Sequence, residues 1–544
     1  VSVAASDPEG EPALRARIAA NPADAAAHLA LAQSLLAARR TEEALAAFTM
    51  ARLLAPTPEA ARGEIACLHA LTRHAEALAL LDAAAAILPA PERCALAHAL
   101  RHAHAVALAQ SGNLAEGRAM LERLVAEAPA DAAAILNLAS LLMHDGEVPR
   151  ALALLVPLAA APPALAPSDL ARLAAMLGEG GALQAAEAAA RHAAAADPDH
   201  AGNWTVLGNA LHNQARLDEA MDAYLRALAL QPHHIGARCS AAMVRLAQGD
   251  LRAGFAGFEW RRARNGAPPP PLPPPASLAA RRVLLTGEQG LGDTIQFARY
   301  APLLADLGAE VALHVPPPLA RLFRSLRGAP AIVPDTEPPP GADAVLPLAS
   351  LPHLFGTTLA TIPAETPYLA ALPAEVAQWR ARLAPLPGRR VGLVWSGDPR
   401  AAPSTRAAHA RRSIPLAALA PLAAIPGLSL VSLQKGPGAA QPAPPPPGMT
   451  LHDWTADLHD MADTAALMTA LDLVISIDTG PLHLAGALDR PVWLLNRHDS
   501  CWRWLLERTD SPWYPTLRQF RQATPGDWTG VVASVAAALA GQAP

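Results

Sequence analysis

Val474-Ile-Ser-Ile-Asp478-Thr479-Gly480-Pro481-Leu482-His483-Leu-Ala-Gly486-Ala-Leu488, followed by Arg490-Pro-Val-Trp-Leu-Leu495, is the stretch on which the fold turns. Two short apolar runs bracket a polar turn and a segment of small residues, the pattern of a buried parallel strand, a helix and a second buried strand. Asp478 or Thr479 is placed to cap the helix. Its first amide N–H groups then face whatever lies above the sheet and, with the helix dipole, favour an anion such as a diphosphate. Gly480 lets a ligand approach the backbone, and Gly486 and Ala487 let the helix lie close on the strands. An ordinary βαβ turn with a capping aspartate meets the same spacing, so the surrounding chain has to decide between the two.

A chain of 544 residues exceeds a single core, and about two to four domains are expected. Hydrophobic residues make up 52% and charged residues 17%, which fits packed globular structure throughout. The net charge of -5 and the absence of a long basic run argue against nucleic acid as a partner. Lys435 is the one lysine; arginine carries the rest of the positive charge. Cys67, Cys94, Cys239 and Cys501 form no C-x-x-C pair, so neither a zinc site nor a disulfide framework is indicated and a reducing cytoplasm fits. The 19 histidines lie mostly in Ala-rich helical segments without ligand spacing, and no metal is expected. Val1-Ser-Val-Ala-Ala-Ser-Asp-Pro8 lacks the charged and apolar regions of a signal peptide, and no apolar run reaches spanning length. The expectation is a soluble, unexported protein with no transmembrane segment.

The N-terminal half repeats itself. Trp204, Leu207, Gly208, Ala220, Tyr224, Ala227 and Pro232 stand at the offsets of a tetratricopeptide repeat. The frame recurs as Ala44, Phe48, Ala51 and Pro56, as Ala77, Leu81, Ala84 and Pro89, and as Gly112, Leu121 and Pro129. It returns as Ala151, Leu155 and Pro163, as Ala186, Ala193 and Pro198, and finally as Gly249, Gly254 and Phe258. The spacing is roughly 34 residues, stretched once near residues 89–101, and residues 13–22 read as a lone capping helix. Small residues let the two helices of a repeat cross closely, the aromatic fills the gap to the next repeat, and the proline ends the second helix. Stacked repeats of this kind form a concave groove that holds a peptide or protein. A spacer or a homodimerisation arm is the other reading.

Gly266-Ala-Pro-Pro-Pro-Pro-Pro-Leu-Pro-Pro-Pro-Ala276 marks a boundary, and polyproline is expected to hold the two halves apart semi-rigidly. Beyond it strands and helices alternate. Val283 to Thr286, Glu310 to Val315, Ala331 to Pro334 and Ala344 to Leu346 read as strands, with helices from Asp293 to Leu307 and from Pro318 to Leu326. A second α/β half follows, with strands from Val391 to Trp395, Leu428 to Leu433, Leu471 to Ile477 and Val492 to Leu495, and a last helix from Trp528 to Leu539. Ligands in such halves sit beyond the carboxyl ends of the strands.

The first turn, Gly287-Glu-Gln-Gly290-Leu-Gly292-Asp293-Thr294, has Walker-like glycine spacing, but Asp293 stands where a phosphate-binding lysine belongs and would repel a triphosphate. Ile295 replaces the third glycine of a dinucleotide fingerprint. What remains is a Gly-rich turn presenting one carboxylate at a helix N-terminus, as a helix cap, a catalytic group, or both.

Gly290-Leu-Gly-Asp293 in the first half and Asp478-Thr-Gly-Pro-Leu-His483-Leu-Ala in the second together resemble the heptosyltransferase-type family 9 glycosyltransferases with the GT-B fold. The order of a tetratricopeptide array before a GT-B pair is also similar to that of O-linked N-acetylglucosamine transferases. The resemblance implies that Asp293, flanked by the acceptor-side loop residues Gly290 and Gly292, is the base on an acceptor hydroxyl. It implies that Asp478, Thr479, Gly480, Pro481, Leu482 and His483 contact the donor diphosphate. Arg412, in Arg411-Arg412-Ser413-Ile414-Pro415, stands where the family commonly has lysine, and its fork can bridge two phosphate oxygens. Lys435 at a strand end is a second diphosphate candidate or simply an exposed lysine. In Trp395-Ser396-Gly397, Ser396 reaches for a phosphate, while Trp395 packs on a sugar or base or belongs to the core. The aromatic segments around Trp502-Arg503-Trp504 and Trp513-Tyr514 read either as a stacking surface with phosphate-holding arginines or as a packed lid.

The expected fold is therefore an α-solenoid of about seven tetratricopeptide repeats plus a capping helix (1–265), a Pro-rich linker (266–280), and an α/β GT-B pair with a central cleft. Its two Rossmann-like halves are the acceptor side (281–387) and the nucleotide-sugar side (388–544). The expected activity is transfer of a sugar from a nucleotide-diphosphate sugar, with no further cofactor, to a protein or peptide bound by the array. A non-catalytic scaffold and a sugar-nucleotide epimerase of the same fold are the competing readings.

Overall fold

A computed structural model describes residues 10–160, 165–264, 266–328, 330–397, 409–436 and 445–541. The chain divides into two compact units, Val1–Leu165 and Ala166–Pro544. In the first, a single helix α1 (Glu11–Ala20) precedes four helical hairpins. These are α2 (Ala25–Ala37) with α3 (Thr41–Leu54), α4 (Pro58–Ala70) with α5 (His74–Ala83), α6 (Ala90–Gln110) with α7 (Leu114–Glu127), and α8 (Ala132–Asp145) with α9 (Val148–Ala160). Asp24, Thr57 and Asp131 cap their helices by accepting amide N–H bonds, as short polar side chains do at N-caps. The repeat-frame residues Ala44, Phe48, Ala51, Ala77, Leu81 and Ala84 are all buried. The Phe48 ring lies against Gly63 of the next hairpin so closely that a Cβ there would collide with it. The stretched frame near residue 90 is absorbed by a 21-residue α6. Pro163 lies outside the described residues, as does the whole N-terminal stretch through Pro8.

The second unit opens with three more hairpins, α10 (Pro167–Gly180) with α11 (Leu183–Ala196), α12 (Ala201–His212) with α13 (Leu217–Leu230), and α14 (Ile235–Ala247) with α15 (Leu251–Phe258). Two all-parallel sheets follow. The first contains β1 (Arg282–Thr286), β2 (Glu310–Val315), β3 (Ala331–Pro334) and β4 (Ala344–Pro347) in the order β3-β2-β1-β4. The second contains β5 (Arg389–Val394), β6 (Leu428–Ser432), β7 (Leu451–His452), β8 (Leu473–Ile477), β9 (Val492–Asn496) and β10 (Leu517–Arg521) in the order β10-β9-β8-β5-β6-β7. That is the doubly wound Rossmann order, and the winding reverses between β5 and β8, where ligands bind in such sheets. Every residue of β8 is buried, as its unbroken apolar run requires.

Two expectations need correction. The helix expected over residues 293–307 is broken into α16 (Leu291–Ala298) and Ala301–Asp306, because Pro302 starts a new first turn and Arg299 turns inward. The polyproline does not hold the last repeats away from the sheets. Arg261 donates to Glu288 Oε2 and to Ser350 Oγ, both at 2.7 Å, and Phe255 of α15 meets Trp502 edge-on at 5.4 Å and Phe297 at 6.4 Å. Residues 235–262 thus share a core with the α/β part, and Arg262 also donates to the Pro270 carbonyl of the proline stretch at 3.3 Å. The strands β7 and β10 and the helices Pro373–Leu383 and Met461–Thr469 were not read from the sequence; three of the five residues of β10 are polar and β7 is two residues long.

Candidate active site

The Gly-rich turn after β1 and the Asp-Thr-Gly-Pro turn after β8 meet directly. A Cβ on Gly292 would lie 2.8 Å from His483 Cδ2 and 3.3 Å from Gly480 Cα. Glycine at 292 is what allows the N-termini of α16 and of the helix Gly480–Ala487 to come this close, since any side chain there would press on His483 and on the Gly480 backbone. The turn after β8 stands at the sheet reversal beside the β5 end, which carries Trp395, Ser396 and Gly397.

Asp293, the third residue of α16, accepts the Gly290 N–H on Oδ2 at 3.0 Å, so it does cap its own helix. Its Oδ1 accepts a hydrogen bond from Arg503 Nη2. Arg503 rises from the short helix Trp502–Trp504, donates through Nε to Gln296 Oε1 and through Nη1 to Cys501 Sγ at 3.2 Å, and lies over the Trp502 ring at 4.5 Å. Burial works against its charge, but Cys501, Asp293 and Asp478 more than offset that and hold the guanidinium firmly protonated. Of the two readings of this aromatic segment, burial of Trp502, Trp504, Trp513 and Tyr514 fits the packed lid, and Arg503 is given to Asp293.

Asp478, Thr479, Gly480 and Pro481 are partly accessible, whereas Leu482 and His483 are buried. Thr479 takes the N-cap position, but neither it nor Asp478 makes a side-chain capping bond, which leaves that role to the backbone. His483 bonds through Nδ1 to the Tyr514 hydroxyl at 2.9 Å, stacks on Trp504 at 5.4 Å and keeps Nε2 at 4.0 Å from Asp478 Oδ1. Burial, with Arg503 and Arg299 nearby, holds its pKa well below the ordinary histidine value, so the ring is neutral near pH 7. Gly486 has no room for a Cβ because the Tyr514 ring covers it, rather than because of the strands below.

On the β5 side, Trp395 belongs to the core. Its backbone N–H and that of Ser396 both donate to Gln434 Oε1, at 3.0 and 2.8 Å. The Arg412 guanidinium lies on Gly397, where a Cβ would come within 2.8 Å of Nη2. Arg412 therefore stands at the strand end, as its reading as a diphosphate ligand requires. Lys435 does not reach in the same way, since Nζ donates to the Thr455 carbonyl at 2.8 Å and to the Leu458 carbonyl. Next to Arg412, Arg411 pairs with Asp499 at 3.2 Å and closes a cavity of about 260 Å³ whose other walls include Glu179 of α10 and Asn209, His212 and Asn213 of α12 and its end. The repeats thus border the loop that carries Arg412.

Sequence reasoning missed Gln296 and Arg299. Arg299 is buried and donates to the Trp513 carbonyl at 2.7 Å, and its guanidinium lies 4.7 Å from the centres of both the Tyr368 and Tyr514 rings. An arginine in an apolar helical run, Ile295-Gln-Phe-Ala-Arg299-Tyr300, was the available signal. Among the described residues no group of three or more His, Cys, Asp or Glu could hold a metal ion, and no helix is long and apolar enough to cross a membrane.

Residues 458–501 match glycosyltransferase family 9 (heptosyltransferase), and residues 102–164 and 201–234 match tetratricopeptide repeats. The first match covers β8, the Asp478 turn, its helix and β9, and ends at Cys501. Protein FlbA of Caulobacter vibrioides is 31% identical over 289 residues, which are 48% of this chain and 47% of that protein, so the chain spans about half the length of this relative. Among solved structures, a family 9 glycosyl transferase from Veillonella parvula aligns over 48% of this chain and 97% of its own at 11% identity and a TM-score of 0.36. MamA from Desulfovibrio magneticus aligns over 31% of this chain and 97% of its own at 18% identity and a TM-score of 0.27. The chain thus carries tetratricopeptide repeats followed by a C-terminal segment of the family 9 type.

Proposed function

We propose that this protein transfers a sugar from a nucleotide-diphosphate sugar to a hydroxyl on a protein or peptide presented by its repeats, with the two sheets working as a GT-B pair. The observation that carries this reading is the glycine-to-glycine approach of Gly292 to Gly480, which sets Asp293 against the turn inside the family 9 match. In the reaction Asp293 takes the proton of the acceptor hydroxyl while its oxygen bonds to the anomeric carbon, and the bond from that carbon to the diphosphate oxygen breaks. The amides after Asp478 and the Arg412 guanidinium meet the charge that gathers on the leaving diphosphate. The cavity walled by α10, α12 and Arg411 supports delivery of the acceptor beside Arg412. The donor pool such a reaction draws on is cytoplasmic, and we place the reaction there.

A second reading, a binding scaffold without turnover, is favoured by the two hydrogen bonds that already occupy the Asp293 carboxylate. Radiolabelled nucleotide sugars offered with and without candidate acceptor proteins separate the two. Transfer that disappears in Asp293→Asn, with donor affinity held within a few fold, is expected for the enzyme. Nucleotide binding with no turnover of any donor points to the scaffold, and unchanged turnover in Asp293→Asn removes the base assignment.

A further inference from the structure

Glu179 stands one residue before the end of α10, where the helix dipole is negative and disfavours a carboxylate. The last turn of α10 holds no basic residue, and Glu179 makes no hydrogen bond or ion pair among the described residues. Burial, with nothing to oppose it, pushes its pKa up. A side chain that costs stability locally and returns no contact is expected at a functional site. Glu179 lines the cavity of about 260 Å³ between α10, α12 and Arg411, and the rest of that wall suits a cation on a long apolar stem. Alanine, glycine and valine of the two helices form its apolar part. Arg411, the other charged residue on the wall, is already paired with Asp499 at 3.2 Å. Burial holds His212 below its ordinary pKa, so its ring adds no charge near pH 7. Asn209 accepts the Tyr224 hydroxyl at 2.8 Å and the Ser240 hydroxyl at 3.1 Å on Oδ1, which leaves its Nδ2 as the donor it offers the cavity.

We propose that this cavity holds a lysine or arginine side chain of the acceptor polypeptide, with Glu179 as its counter-ion, so that a cationic residue is part of what the protein recognises in an acceptor. The proposal rests on the reading of the repeats as holding a polypeptide and makes no use of Asp293 or of the diphosphate site. In a partly desolvated cavity a carboxylate attracts an ammonium or guanidinium group more strongly than it does in water. The last carbonyls of α10 add to that attraction. The stem of the incoming side chain lies on the alanine and valine wall, as long cationic side chains do on apolar surface. Asn209 Nδ2 is placed to meet a main-chain carbonyl beside that side chain, a group that a free diamine lacks. An apolar residue of the same length leaves Glu179 unpaired, and an acidic one is repelled, so the cavity discriminates by charge rather than by size. Glu179 determines specificity and takes no part in bond making.

The test is a calorimetric titration of the full-length protein with nonapeptides of glycine, serine and alanine that differ only in a central lysine, norleucine or glutamate. The lysine peptide is expected to bind about tenfold more tightly than the norleucine peptide, the size of a charge-assisted hydrogen bond, and the glutamate peptide most weakly. Glu179→Gln should erase the difference between lysine and norleucine without lowering the thermal midpoint, because no partner is lost. Glu179→Lys should reverse the order of the lysine and glutamate peptides. Equal binding of the lysine and norleucine peptides by the wild type, no binding of either at millimolar concentration, or a lysine preference that survives Glu179→Gln overturns the counter-ion. A lowered midpoint in Glu179→Gln gives the residue to the fold and overturns it too. Charge discrimination that holds while no sugar is transferred to any polypeptide leaves the cavity's role standing and removes the glycosyltransferase reading. Transfer that proceeds with no discrimination among the peptides does the reverse.

Discussion

Gly292 has no room for a methyl group, and Gly480, its neighbour across the contact, has. A Cβ on Gly292 would press on His483 at 2.8 Å and on Gly480 backbone, whereas one on Gly480 would find nothing nearer than 3.7 Å. Gly292→Ala should therefore lower stability by about 1–3 kcal/mol and abolish transfer. Gly480→Ala should leave the thermal midpoint nearly unchanged while weakening nucleotide-diphosphate binding, since only a ligand would meet the added methyl; calorimetry and melting curves on the two variants separate these outcomes. Arg412→Ala should weaken nucleotide-diphosphate binding by about 1.5–3 kcal/mol, with bare nucleoside bound alike by both proteins. Lys435→Ala should change neither by more than about twofold, because its ammonium is committed to the carbonyls of Thr455 and Leu458. His483 gives a pH test. Its folded pKa is depressed, so the unfolded chain takes up that proton first, at about pH 6.5. Stability is then full above that pH and is lost as pH falls below it, by up to about 1.4 kcal/mol per pH unit. Urea midpoints measured from pH 7.5 to 5.5 should fall in the wild type and fall less in His483→Gln; equal slopes would remove His483 as the cause.

The helical hairpin shows why small residues sit where the repeat frame puts them. The Tyr224 ring of α13 fills the space over Gly208 of α12, and its hydroxyl donates to Asn209 Oδ1 at 2.8 Å. Tyr224→Ala should cost about 3–5 kcal/mol, read as an earlier unfolding transition of the second unit, and Gly208→Ala should be damaging for the complementary reason. Elements of this kind were legible because their signals are local: the Gly and aromatic offsets gave the hairpins, and unbroken apolar runs gave β1, β5, β8 and β9. The Asp293 and Asp478 turns were legible as motifs, and the fold brings them together. The grip of Arg503 on Asp293 was not, since 210 residues separate the two and nothing in Trp-Arg-Trp says which partner the guanidinium takes. Lys435 shows the same limit. A strand-end lysine reads as available charge until the backbone carbonyls that receive it are known.

At the scale of the molecule, repeats and sheets do not part where composition changes. The aromatic group of Phe255, Phe297, Trp502 and Trp513 joins the last hairpin to both α/β halves, and Trp502 neighbours Arg503. A chain beginning at Ala166 should fold, melt cooperatively and bind nucleotide. A chain beginning near residue 281, where the polyproline ends, should expose Trp502 and Trp513 and aggregate, because removing Phe255 uncovers large apolar faces. Size-exclusion chromatography and circular dichroism on the two truncations decide it, and a well-behaved monomer from the shorter chain would refute the shared core. The division after Leu165 has a consequence for descent as well as for engineering. Hairpins before that point lie outside the unit that holds Asp293 and the Asp478 turn. Duplication, loss or exchange of whole repeats there is free to change what the protein recognises, and the hairpins from α10 onward have to be inherited together with the chemistry.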